Sequence, residues 1–181
     1  WRDHVSEAIA TSVQRLQQKW AASEPNLEIC YSPSQAKSVF TESSTAAAVG
    51  LLGDLPHGVW KMSDRYDGKV ETSCNLAVAT SSDDRFSLHV SNRSFLASEL
   101  EAAQARVAQV AARYHSSIEV RDGYPGWEPR SDSPLQEAAR IVFERVCGQE
   151  PKLEVVHAGL ECGIRCENLP GLEAISFGPL I

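Results

Sequence analysis

The sequence predicts an α+β fold, an α/β sandwich with an antiparallel sheet and helices on one of its faces. Two runs of alternating apolar and polar residues flank a polar turn, an amphipathic Ala/Glu/Gln/Arg-rich stretch follows, and a short strand-like segment leaves it. Hairpin, helix and strand in that order pack as two layers around one core.

The hairpin is the clearest element. Val70, Thr72, Cys74, Leu76 and Val78 alternate with Glu71, Ser73, Asn75 and Ala77. Beyond Ser81-Ser82-Asp83-Asp84, Phe86, Leu88 and Val90 alternate with Ser87, His89 and Ser91. Period two on both sides of a turn argues an antiparallel pair with one buried face. Parity then places Cys74, Leu76, Val78, Phe86, Leu88 and Val90 inward, provided that no bulge intervenes. Ser98 to Tyr114 follows as a helix with Leu100, Ala103, Val107, Val110 and Ala111 along one stripe, and Ser117 to Arg121 is the strand leaving it.

Upstream, Val5, Ala8, Ile9, Ser12, Val13, Leu16 and Trp20 share one helical face, and Leu27 to Tyr31 alternates as a short strand. Thr45 to Leu52 favours helix, ended by Gly53 and Pro56-His57-Gly58. Downstream, Gly123-Tyr124-Pro125-Gly126-Trp127-Glu128-Pro129 is a stiff junction and the candidate domain boundary, separating residues 1–127 from 128–181. After it, Ser133 at the N-cap and Pro134 at the first helical position open a helix that runs to Cys147 and stops at Gly148. Leu153 to Val156 and Ala174 to Phe177 are expected as strands of a short parallel α/β segment.

Composition bounds the function. Of 181 residues 43% are hydrophobic and 23% charged, which excludes wholesale disorder. The net charge of −7, with no Lys/Arg stripe, argues against nucleic acid as a partner. The longest apolar run, Ala46 to Leu52, is far short of the roughly 20 residues a membrane span needs. Five cysteines without a CxxC pair are the pattern of reduced thiols in a cytoplasmic protein. A chain that opens on Trp1 and stops just after Gly178-Pro179 is expected to be a piece of something longer.

Two places could carry chemistry. His157-Ala158-Gly159-Leu160-Glu161-Cys162-Gly163 follows an expected strand, and glycines at a strand's C-terminal end let backbone approach a ligand. The loop is either a cleft wall, in which His157 or Glu161 handles protons or binds charge, or a strand-to-helix turn with a capping histidine and a solvated glutamate. Arg93, at the end of the second hairpin strand, either clamps a carboxylate or faces water. A zinc site made of His157, Cys162 and Cys166 lacks a fourth ligand and is rejected.

These segments, in this order, resemble the aminoacyl-histidine (Xaa-His) dipeptidases, also described as cytosolic beta-alanyl-histidine dipeptidases, of the di-zinc aminoacylase/carboxypeptidase superfamily. The matching strings are Val70-Glu71-Thr72-Ser73-Cys74-Asn75-Leu76, Arg93-Ser94, Gly123 to Trp127, Ser133-Pro134, Val156 to Gly163 and Ile175-Ser176-Phe177-Gly178-Pro179. His157 to Gly163 is the most specific. The resemblance implies a ferredoxin-like lid sandwich for residues 1–127, the later part of a lid that also mediates homodimers. It implies re-entry into the zinc-peptidase catalytic domain for 128–181. It further implies a dipeptide substrate and two zinc ions in the full-length enzyme, with neither metal ligands nor catalytic residues in this piece, which is therefore expected to be inactive alone. Arg93 is implied as the clamp on the substrate's C-terminal carboxylate, and His157, Gly159 and Glu161 as substrate-binding, with Glu161 the partner of a substrate imidazole. The competing expectation, a non-enzymatic α+β interaction and dimerisation domain, rests on the lack of a catalytic set.

Overall fold

The computed structural model describes residues 2–32, 35–121, 123–130, 132–158 and 160–178. They fall into two compact units, Trp1–Val39 and Phe40–Ile181. The first is built on helix α1 (Arg2–Trp20), where Val5, Ile9, Leu16 and Trp20 form an exposed apolar stripe at helical spacing.

The second unit runs α2 (Glu42–Asp54), β1 (Gly58–Met62), β2 (Val70–Ser81), β3 (Phe86–Ser94), α3 (Ala97–Arg113), α4 (Pro134–Cys147) and α5 (Glu161–Asn168). The three strands form one antiparallel sheet in the order β1-β2-β3. Helix α3 packs on β2 and β3, and α2 packs on α3, so the class is α+β. The core is small, made of Leu55, Cys74, Phe95, Ala103, Val110 and Ala111. Ala103 and Ala111 are among the buried residues of α3, and small side chains permit close packing of a helix on its neighbours. Thr72 is fully buried, and its Oγ1 lies 3.1 Å from the Ser94 Oγ directly across the ladder, so one hydroxyl donates to the other.

The helix ends follow local chemistry. Thr41 caps α2 by accepting the Ser44 backbone N–H. Ser133 accepts the Gln136 N–H at the start of α4 and donates to the Glu173 carboxylate, while Gly148 closes that helix in the left-handed conformation at φ 68°.

Several expectations are corrected. The register between β2 and β3 shifts between Leu76 and Val78, an irregularity that inserts Ala77. A bulge inverts parity beyond it, so Ala79 rather than Val78 stands opposite Leu88 and Val78 is 52% exposed. The backbone N–H of Leu76, beyond the reach of β1, donates to His57 Nδ1 at 3.1 Å. Strand β1, unassigned from the sequence beyond the helix-ending Gly58, is an edge strand with register irregularities of its own. The segments 27–31, 117–121, 153–156 and 174–177, expected as strands, pair with no neighbour among the described residues. Apolar alternation supplies one face of a strand, but a ladder requires a second chain segment to exchange hydrogen bonds with.

Candidate functional site

The end of the hairpin and the loop before α5 meet at one place. In the β2–β3 ladder Ser73 stands opposite Arg93, and directly opposed residues project from the same face of a sheet. His157 reaches this face from the other end of the unit. Its Nε2 lies 2.7 Å from Ser73 Oγ, a contact between residues 84 positions apart. Arg93, His157, Asn92, Tyr124, Pro125 and Ala158 line a notch of about 30 Å³. That volume suits about one water molecule or one end of a polar group; a whole dipeptide does not fit inside it.

The junction after Gly123 forms one wall of the notch and is wedged in position. A methyl group at Gly126 would lie 2.8 Å from the Ser94 carbonyl oxygen and 2.9 Å from that of Phe95. On the other side, a methyl at Gly163 of α5 would stand 3.2 Å from Trp127 Cβ and 3.3 Å from the Pro125 oxygen. The junction is also tied outward, by Tyr66 Oη donating to the Pro129 carbonyl at 3.3 Å and by an Arg65–Glu128 ion pair at 2.8 Å.

The electrostatics of the notch are cationic. Partial burial, and secondarily the nearby Arg93 guanidinium, push the His157 imidazole below the usual histidine range. Near neutral pH the ring is therefore uncharged beside a fixed positive charge. An exposed Arg next to a neutral, hydrogen-bonded imidazole can bind an anion such as a carboxylate.

Of the four residues singled out from the sequence, the fold brings Arg93 and His157 together. Glu161 is the first residue of α5, exposed, and does not line the notch. Gly159 lies outside the described residues. Ser73 joins them, and nothing in its local sequence marks it out. Its signal is the register alone, since a Ser opposite Arg93 is legible once the hairpin is aligned. A larger open groove of about 720 Å³ runs between α3, the junction and α5, past Leu100, Gln104, Trp127, Arg130, Gly163 and Cys166. Neither Arg93 nor His157 lines it. Its walls carry both Arg65 and Arg130 and four carboxylates (Glu101, Glu128, Asp132 and Glu167), a mixture that selects no single charge. The notch is therefore the place where the candidate chemistry gathers.

No family model matches the chain. The cytosol non-specific dipeptidase of Escherichia coli (strain K12) is 29% identical over 180 residues, which cover 99% of this chain and 37% of that protein. The aminoacylhistidine dipeptidase from Vibrio alginolyticus, a solved structure, matches with a TM-score of 0.80 and 29% identity, over 91% of this chain and 34% of that one. The chain is similar to both dipeptidases over nearly its whole length. It spans a little over a third of the length of these dipeptidases. Among the described residues no group of three or more His, Cys, Asp or Glu side chains is placed to hold a metal ion. No helix among them is long and apolar enough to cross a membrane.

Proposed function

We propose that the chain is the substrate-covering part of a cytoplasmic zinc dipeptidase that cleaves Xaa-His dipeptides. In this reading residues 1–127 belong to the lid and 128–181 to re-entry into the catalytic domain. The zinc ions would be held by residues of the whole protein other than those described here, and the piece alone is inactive. The observation that carries the reading is the notch in which Arg93 and His157, far apart in sequence, stand together. Every dipeptide ends in a carboxylate, and Arg93 is the group that would receive it, with the neutral His157 beside it. Glu161, exposed at the start of α5 a few residues beyond His157, is the candidate partner for a substrate imidazole. A lid that pairs with a second copy of the chain is part of the same proposal. The exposed apolar stripe of α1 supports it, since such stripes are ordinarily covered.

The test is Arg93→Ala in the full-length protein. A charge-assisted hydrogen bond is worth about 1.5–3 kcal/mol, so kcat/KM for a Xaa-His dipeptide should fall at least tenfold while the melting temperature stays unchanged. Wild-type kinetics in this variant would refute the assignment.

A further inference from the structure

We infer that Ser73 is a positioning residue: its hydroxyl donates to His157 Nε2 and thereby holds the imidazole as the tautomer protonated on Nδ1. The inference rests on the reading of the notch as a carboxylate receptor and adds to it the group that sets the hydrogen-bonding sense of the imidazole.

The contact itself is short, 2.7 Å between Ser73 Oγ and His157 Nε2, and a neutral imidazole has one donor nitrogen and one acceptor nitrogen. Two arrangements satisfy that distance. If Nε2 carried the proton, the ring would donate to Ser73 and present a bare Nδ1 lone pair. The serine proton would then need another acceptor, and among the described residues Ser73 Oγ has no hydrogen-bond partner except His157. If the serine donates, its proton is used, Nε2 is filled, and Nδ1 is left as an N–H donor. The second arrangement satisfies the serine proton and Nε2 together and leaves the Nδ1–H as the one group free for a ligand.

It also suits the notch. The position is partly buried, and Arg93 adds a positive charge that disfavours an imidazolium. With the neutral ring favoured in the open notch, what the histidine offers an arriving anion is the direction of one N–H. The tautomer protonated on Nδ1 provides a donor; the other tautomer would offer an acceptor lone pair in a site whose ligand brings only acceptors. The second ring nitrogen thus fixes what the first one offers. Strand β2 makes the device stiff, because Ser73 sits in ladder between Val59 of β1 and Arg93 of β3. One mid-sheet position therefore supports both the imidazole and, across the ladder, the guanidinium.

The experiment compares Ser73→Thr with Ser73→Val, two β-branched side chains of nearly equal shape that suit a strand and differ in the hydroxyl. Nitrogen-15 NMR of the full-length protein with labelled histidines reads the protonation of each His157 ring nitrogen. The wild type and Ser73→Thr should show Nδ1 protonated and Nε2 as an acceptor, and Ser73→Val should show a mixture of tautomers. In the full-length dipeptidase, Ser73→Val should raise KM three- to tenfold with kcat unchanged, and Ser73→Thr should restore it. Ser73→Ala repeats the measurement if the valine variant melts early. A wild-type His157 protonated on Nε2, or a Ser73→Val spectrum identical to that of Ser73→Thr, overturns the inference whatever the kinetics. An unchanged KM in Arg93→Ala overturns the carboxylate reading instead, while the tautomer spectrum still decides the role of Ser73.

Discussion

Replacing Gly126 by alanine adds one methyl group where the junction passes the end of β3. That methyl would stand 2.8 Å from the Ser94 oxygen, 2.9 Å from the Phe95 oxygen and 3.0 Å from the Phe95 carbonyl carbon. All three are backbone atoms, so no side chain can rotate away. Gly126 is not among the glycines with positive φ, which makes the penalty steric rather than conformational. The junction cannot retreat freely either, since Gly163 of α5 faces Trp127 Cβ and the Pro125 oxygen on its far side. Overpacking of this kind costs about 1–3 kcal/mol. At roughly 2–4 °C per kcal/mol for a domain of this size, the melting temperature should fall by about 2–12 °C. The assay is thermal unfolding followed by circular dichroism, with Gly53→Ala as the reference. A methyl at Gly53 meets nothing within 4 Å, and alanine gains about 1 kcal/mol over glycine inside a helix. The reference should therefore melt at or slightly above the wild type. A Gly126→Ala protein that melts with the reference would refute the wedge, and with it the claim that the junction holds its wall of the notch by shape.

Gly50, in the same helix as Gly53, should respond in the opposite sense. Its methyl would lie 2.5 Å from Tyr114 Cε1, and Tyr114 is held by the 2.7 Å hydrogen bond from its Oη to Asp54. Gly50→Ala should lower the melting temperature, and in a Tyr114→Ala background the loss should vanish; additive losses would show that the ring is not the obstacle. Acid stability should depend on Glu154, whose carboxyl is held at about 2 by hydrogen bonds from Lys152 and Lys69. A folded value below the ordinary 4.5 means that the pairing stabilises the fold above about 4.5 and is lost as pH falls toward 2. Glu154→Gln should flatten that acid limb in a plot of melting temperature against pH, and superimposable limbs would refute the pairing.

The hairpin and α4 were legible because their signals are local. Alternation in Val70 to Val78 and Phe86 to Val90 specifies a pair of strands, and Ser133, Pro134 and Gly148 mark both ends of a helix. The bulge was not legible. Ala77 has no composition that announces it, and its consequence, an exposed Val78, is decided by the register with β3. The segments at 153–156 and 174–177 show the converse limit: apolar residues mark a strand's face, while pairing depends on which segment lies alongside. At the notch, Arg93 and His157 stood out through resemblance and glycine-rich context. Ser73 did not, because one serine in an alternating strand carries no signal until the ladder places it opposite Arg93 and the loop before α5 brings His157 to its hydroxyl.

Lys61 on the edge strand β1 touches two carboxylates, Glu71 of β2 and Glu99 in the first turn of α3, each at 2.7 Å. Glu71 is buried to 3% exposure and depends on that ammonium for compensation, while Glu99 also benefits from the positive end of its helix. Edge strands ordinarily fray first, because a ladder on one side alone holds them. Here, detaching β1 would strand a desolvated negative charge on its neighbour and remove the cation at the foot of α3 in the same motion. Edge strand, central strand and helix are therefore coupled through one ammonium, and opening β1 costs more than the loss of its ladder hydrogen bonds alone.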